Sequence, residues 1–229
     1  MVASGAIILY RPLRVLAKMS HKEVNKSQKL VIGLSGGIGC GKTLVANHLQ
    51  TLGCFVIDAD MLAQQLLDDS SVIQMLVDWW GEQVIGTDGR VDRQAVARIV
   101  FDNPAQLRRL ESLIHPLVHA QRHQLRRQAQ ADSSVTAIVE DCPLLLEKGL
   151  DAECDVVIFV CCDRDQQVAR VAKKHGWTET DLWRREKNQW PLDIKADQAH
   201  YVVDNNAAEA DTLSHVRRLL SQILHRRSC

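Results

Sequence analysis

Five short apolar runs with β character, at residues 30–35, 54–58, 135–141, 155–161 and 200–204, punctuate a chain whose other apolar positions recur every three or four residues. Strands alternating with helical segments predict an α/β fold, a doubly wound five-stranded parallel sheet. The gaps between the runs are uneven. About 75 residues separate the second run from the third, with helical patterns around 60–68, 71–80, 92–101 and 104–128 and a turn at Gly86-Thr87-Asp88-Gly89. That is too much chain for one crossover, so a helical insertion is predicted from about 61 to 130, able to hold a second substrate. Asp92 and Asn103-Pro104 have the chemistry of helix starts. A second charged, helical insertion at about 164–197 carries Arg170, Lys173, Lys174, Arg184, Arg185 and Lys187. Most of these cations suit a solvated helix face; two or three can act as a lid over a bound phosphate.

The first apolar run leads directly into Gly36-Gly37-Ile38-Gly39-Cys40-Gly41-Lys42-Thr43, a G-x-x-x-x-G-K-T loop. Its glycines let the backbone curl with N–H groups inward, so a polyphosphate can rest on those amides and on the positive N-terminus of the helix starting near Lys42. Lys42 then reaches the β- and γ-phosphates, and the Thr43 hydroxyl can ligate Mg²⁺. Leu44, Val45, Leu49 and Leu52 give that helix an apolar stripe, and Gly53 is a suitable stop. Cys40 sits among the loop amides near Lys42, which favours a thiolate; the alternative is a thiol turned into the core.

Acidic residues close three of the later runs, two of them at candidate catalytic positions. The second ends in Asp58-Ala59-Asp60, and in an open parallel sheet the carboxyl ends of strands face the ligand crevice. One carboxylate there can take the proton of an attacking hydroxyl, while the other caps the next helix or holds metal-bound water. The third run ends in Asp141, where an acid would stand beside Thr43 and the metal. His115, His119 and His123 fall at four-residue spacing, but no carboxylate or cysteine completes a metal set, so a core or surface face is expected.

Composition narrows the partners. The 229 residues are 46% hydrophobic, with 28 basic and 28 acidic side chains, which suits one domain and supplies no general attraction to nucleic acid or an anionic membrane. The seven cysteines form no C-x-x-C pair and several lie in apolar runs, as reduced thiols do in a cytoplasmic protein. No apolar stretch approaches the roughly 20 residues of a membrane span. Residues 1–28 read as an extension without regular structure preceding a domain at 29–227. Four basic residues and no acid in its first 22 positions give it some likeness to a targeting segment.

With these residues in place, the chain resembles the dephospho-CoA kinase family of P-loop kinases, related to the nucleoside monophosphate kinases. The likeness runs from about residue 30 to 206 and rests on separated motifs in a fixed order. Besides the phosphate loop these are Val-Ile-Asp-Ala-Asp at 56–60, Asp-Gly-x-x-Asp-Arg at 88–93, Ile-His-Pro at 114–116, Asp-Cys-Pro-Leu-Leu-Leu-Glu at 141–147 and Val-Val-Asp-Asn at 202–205. The resemblance implies transfer of the ATP γ-phosphate to the ribose 3′-hydroxyl of dephospho-CoA with Mg²⁺. Asp60 matches the proposed base and Lys42 the phosphate-binding lysine. Thr43 and Asp141 match the metal side, and Gly37, Ile38, Gly39, Cys40, Gly41 and Leu44 match the rest of the ATP loop. Arg93, His115, Pro116 and Glu147 match substrate-side positions, Arg185 the lid's Arg-x-x-x-Gln pattern, and Asn205 the loop that approaches adenine. Three departures stand out: Cys40 and Leu44 replace the usual Ser and Thr, Lys174 replaces a lid arginine, and residues 190–195 vary locally while keeping Lys195.

Other readings remain at this level. Another small-molecule or nucleotide kinase of the same fold would share the phosphate loop, because fold does not choose substrate. A GTP-dependent switch lacks its guanine-reading Asn/Thr-Lys-x-Asp motif, and a pure binding module gives Asp60 and the lid nothing to do.

Overall fold

The structure, a computed structural model, describes residues 28–101 and 103–228; the proposed extension lies, but for Gln28, outside the described residues. Five strands form one sheet: β1 (Val31–Gly36), β2 (Phe55–Asp58), β3 (Ile138–Asp141), β4 (Val156–Cys161) and β5 (Tyr201–Asp204), in the order β2-β3-β1-β4-β5. The pairings of β1 with β3, β1 with β4 and β4 with β5 are parallel. Every residue of the central β1 is buried, whereas β5 at the edge alternates buried and half-buried. That contrast is what a sheet covered on both faces produces, since only its edge strands keep a wetter side.

The described residues divide into two compact units, one formed by those from Gln28 to Ile57 together with those from Gln128 onward, the other lying within Asp58–Arg127. In the first, α1 (Lys42–Thr51) and α9 (Glu209–Ser228) bury Val45, Ala46, Leu49, Val216, Leu219, Leu220 and Ile223 against Ile32, Leu34, Val139, Ile158 and Val160 of the sheet. Of the apolar stripe expected along α1, Val45 and Leu49 are buried and Leu44 and Leu52 half-buried, while Ala46 and His48 join the buried face. The second unit holds α2 (Ala59–Leu66), α3 (Ser70–Trp80), α4 (Arg93–Phe101) and most of α5 (Pro104–Ala131). Its core is Val72, Leu76, Val84, Val91, Val96 and Ile114. Asp92 and Asn103 cap as their chemistry suggests, accepting from Gln94 and Ala95 and from Ala105 and Gln106 respectively. The Gly86–Gly89 turn closes a small antiparallel bridge between Ile85 and Val91.

One buried group makes stability sensitive to acid. His215 on α9 is fully buried, and neither ring nitrogen has a hydrogen-bond partner among the described residues. Burial lowers its imidazole below the ordinary 6.5; nearby Arg218 adds to this and Asp204 partly opposes it. Above the ordinary value both folded and unfolded forms are neutral, so the group has no effect. As pH falls below it the unfolded chain binds a proton that the folded chain refuses, and stability is lost. His215→Leu is therefore expected to melt at or above the wild-type temperature near neutrality, with the gap widening between roughly pH 7 and pH 5. Parallel melting curves across that range would remove His215 as the cause.

Candidate active site

The loop leaving β1 is held in shape by groups from three other segments. At Gly41 the backbone is left-handed, with φ of 95°, and an added Cβ would collide with the Asn205 side-chain amide. Only glycine fits there. Asn205, 1% exposed, donates from Nδ2 to Cys40 O at 2.9 Å and accepts at Oδ1 from Thr212 Oγ1 at 3.2 Å. Its amide thus braces the loop. Arg170, on α6 (Arg164–His175), donates to Cys40 O at 3.3 Å, Asn205 O at 2.9 Å and Gln166 Oε1 at 2.7 Å. Gln167 donates to Ile38 O at 2.9 Å and to Cys40 Sγ at 3.2 Å. Carbonyls 38, 40 and 205 are occupied in this way, which fixes the course of the loop.

Lys42 folds back over the cradle, its Nζ donating to Gly36 O at 3.4 Å and Gly37 O at 3.3 Å. Those long bonds to carbonyls are weak enough to give way to phosphate oxygens, which an ammonium binds more strongly. Gly37 is buried, Ile38, Gly39 and Leu44 are half-buried, and Thr43 presents an exposed side chain in the first turn of α1. Asp141 is buried at the end of β3 and pairs in register with Leu34 of β1, two residues before the loop begins. Hydroxyl and carboxylate oxygens are the donors that hard Mg²⁺ prefers.

Cys40 resolves the two alternatives in mixed fashion. Its thiol is turned inward with no exposure, yet its pKa is lowered to about 6 by hydrogen bonding to the Cys162 thiol, against the desolvation of burial, with help from Gly37 and Lys42.

The segment expected as a lid holds α6, α7 (Glu179–Glu186) and α8 (Leu192–Gln198). Arg164 ties the first two together, donating to both Glu186 oxygens at 2.7 and 2.9 Å and to Glu179 at 3.2 Å. Arg185 stacks its guanidinium 3.9 Å above the Trp177 ring, which in turn stacks on His175. Lys174 is exposed. An arginine fork matches phosphate oxygens better than an ammonium, so Arg185→Ala is expected to lower kcat more than Lys174→Ala. The reverse order in steady-state rates would displace the lid assignment.

Glu147, expected on the substrate side, accepts at Oε1 from Lys195 Nζ at 2.7 Å and from Trp190 N at 2.9 Å. Lys195 is fully buried and also donates to Gln189 Oε1 at 3.0 Å. Desolvation alone would raise the Glu147 carboxyl, but the bonds from Lys195 and Trp190 outweigh it and the net shift is downward.

In the Asp58–Arg127 unit, Asp58 is the cap of α2, accepting from Met61 N at 2.9 Å, and Asp60 lies exposed in the first turn of that helix. Arg93 is held by Gln64 Oε1 at 3.0 Å, Gln64 O at 3.2 Å and Asp68 at 3.3 Å. His115 and Pro116 are exposed on α5, where Pro116 removes the helical donor to the Ser112 carbonyl. His119 and His123 share a hydrogen bond between Nε2 atoms at 3.1 Å.

Gln167, Thr212 and the Lys195–Glu147 pair were not singled out from sequence for these tasks. Gln167 did leave a signal: it lies four residues before Val171 on the buried stripe of α6, a polar residue where an apolar one is expected.

Comparison with known proteins agrees with this geometry. The family model described as dephospho-CoA kinase matches residues 30–211. A dephospho-CoA kinase from Corynebacterium glutamicum is 35% identical over 198 residues, covering 86% of this chain and 98% of the relative. One from Geobacter metallireducens is 37% identical over 184 residues, covering 80% and 91%. Among solved structures, TT1252 from Thermus thermophilus aligns with a TM-score of 0.70 at 30% identity, covering 85% of this chain and 98% of the other. By its matched length and by these relatives, the chain belongs to the dephospho-CoA kinase family.

Proposed function

We infer that this protein transfers the γ-phosphate of ATP to the ribose 3′-hydroxyl of dephospho-CoA, giving coenzyme A and ADP. The observation that carries the reading is the preformed phosphate loop at 36–43, braced by Asn205, Arg170 and Gln167, in a chain whose family match spans residues 30–211. Backbone amides 37–43 and Lys42 hold the ATP phosphates, and Arg185 and Arg170 neutralise charge from the lid side. Asp60 takes the proton of the attacking hydroxyl. Arg93, already fixed by Gln64 and Asp68, positions the acceptor together with His115 and Pro116. Thr43 and Asp141 would hold Mg²⁺, whose chemistry on binding is to neutralise the phosphate oxygens. Asn205 and Glu147 act as positioning residues, one for the loop and one for the lid.

Among the described residues no helix is long and apolar enough to cross a membrane. With zero formal net charge and no disulfide framework, a cytoplasmic enzyme acting on two small nucleotides, without nucleic acid, fits the chain best.

The deciding experiment is an ADP-coupled assay with Mg-ATP and, in turn, dephospho-CoA, adenosine, AMP and shikimate. ADP release with dephospho-CoA, and a product carrying one phosphate more than the acceptor, is the expected result. Turnover with another acceptor and none with dephospho-CoA would reassign the chain to a different substrate on the same fold.

A further inference from the structure

Two of the three histidines spaced along α5 have no part in the proposed reaction, and the structure brings their rings together. His119 and His123 stand about one helical turn apart, a spacing that places side chains one above the other on the same face. Their Nε2 atoms are 3.1 Å apart, with ring centroids at 4.3 Å and ring planes at 70°. His119 is exposed and His123 half-buried, which leaves the pair within reach of a dissolved ion.

The separation of the nitrogens matches a chelate. Bonds from imidazole nitrogen to a divalent transition metal run about 2.0–2.1 Å, so one ion bonded to both Nε2 atoms at their 3.1 Å separation subtends an angle of about 100°. That falls between the right angle of square or octahedral coordination and the tetrahedral angle, and the rings need no large movement. Local charge chooses the class of ion. Arg122 and Arg126, each three positions after one of the histidines, add positive charge to the same helix and oppose hard cations such as Mg²⁺ and Ca²⁺, which depend on oxygen ligands. Imidazole nitrogens suit Zn²⁺, Ni²⁺ and Co²⁺. In the bond between the rings one Nε2 donates and the other accepts. On binding, the donor ring moves its proton from Nε2 to Nδ1, so both lone pairs meet the ion and no net proton is lost. The spacing read as an ordinary helix face for want of a third ligand, but a two-point chelate completes its shell with water.

We propose that His119 and His123 form a two-point binding site for a divalent metal of the Zn²⁺, Ni²⁺ and Co²⁺ class, and that the bound ion braces α5 where Pro116 weakens it. Pro116, three positions before His119, takes away the helical donor to the Ser112 carbonyl. A metal bridge from residue 119 to residue 123 ties together the turns that follow, because binding energy spent on the folded helix adds to its stability. His115 stands roughly 12 Å along the helix axis from His123, so the three histidines cannot share one ion. The bracing ion takes no part in phosphoryl transfer, whose proposed metal side is the oxygen pair of Thr43 and Asp141.

The test uses untagged full-length protein in excess Mg²⁺, which keeps oxygen-ligand sites filled. Binding of Ni²⁺ and Co²⁺ is followed by calorimetry and absorption in the wild type and in His119→Ala, His123→Ala and His115→Ala. Alanine is a strong helix former, so each variant keeps α5. The expected result is one ion per chain, with affinity at least about tenfold lower in each of the first two variants and unchanged in His115→Ala. Bound Co²⁺ should show weak visible bands without the intense near-ultraviolet band of thiolate ligation, which separates this site from the seven cysteines. Backbone amides between residues 116 and 123 should exchange hydrogen several-fold more slowly with Ni²⁺ in the wild type, and at the same rate with or without it in His119→Ala. None of these readouts depends on which acceptor the enzyme phosphorylates. Wild-type affinity in both His119→Ala and His123→Ala, or a cobalt spectrum dominated by the sulfur band, would overturn the site. Unchanged exchange with the ion bound would overturn the bracing.

Discussion

Asp60→Asn is expected to lower turnover at least about a hundredfold while leaving ATP affinity and melting temperature unchanged, the usual size of a general-base contribution. The substitution is nearly isosteric and the side chain is exposed in the first turn of α2, so no core contact is lost. Capping of that helix also survives, because Asp58 performs it through Met61 N. A variant that keeps its ATP affinity but loses kcat has lost an interaction made in the transition state, and only a group acting on the reacting hydroxyl fits that pattern. Near-normal turnover would move the base to Asp58 or Asp141. The pH profile gives a second readout: removing a general base abolishes the acidic limb of kcat, whereas a helix defect would move the melting curve instead.

The choice between Asp58 and Asp60 as helix cap marks where sequence stopped being informative. Strand and helix positions followed from apolar periodicity, and the phosphate loop from its glycines and Lys42, because both signals are local. Asp92 and Asn103 were legible as caps for the same reason. Two carboxylates two positions apart carry the same local signal, however, and only the extended backbone at Asp58, with φ of −95° and ψ of 108°, singles it out as the cap. The third apolar run begins at residue 135, but β3 begins at Ile138, because Val135 N bonds Asp132 O and Thr136 N bonds Gly53 O. The order β2-β3-β1-β4-β5 rests on contacts between distant segments. Lys195 was the hardest to read. In a charged stretch it resembles a solvated lysine, and its partner lies 48 positions earlier, from 195 to 147.

Lys195→Met is expected to destabilise the protein by about 3–5 kcal/mol, the usual cost of leaving one partner of a buried ion pair behind. The ammonium is fully buried and the Glu147 side chain only 10% exposed, so solvent does little to soften the loss. Glu147 would keep the Trp190 amide but would have to be protonated or hydrated to remain in place. The double variant Lys195→Met with Glu147→Leu should regain much of that stability, because two apolar groups of similar volume replace a pair whose own desolvation was costly. Denaturant unfolding of the four proteins yields the coupling directly. The sign of its pH dependence is fixed as well. The Glu147 carboxyl is lowered in the folded state, so the pair's contribution is in place above the ordinary glutamate range and fades as pH falls through the lowered folded value. Function separates the variants further. The ion pair fastens α8, at the end of the proposed lid, to the segment that follows β3. The double variant should therefore be stable yet impaired in kcat, having regained its packing but not the charge-assisted bonds to Gln189 and Trp190. Equal stability losses in single and double variants, or full activity in the double, would show that the pair neither carries the lid's stability nor sets its position.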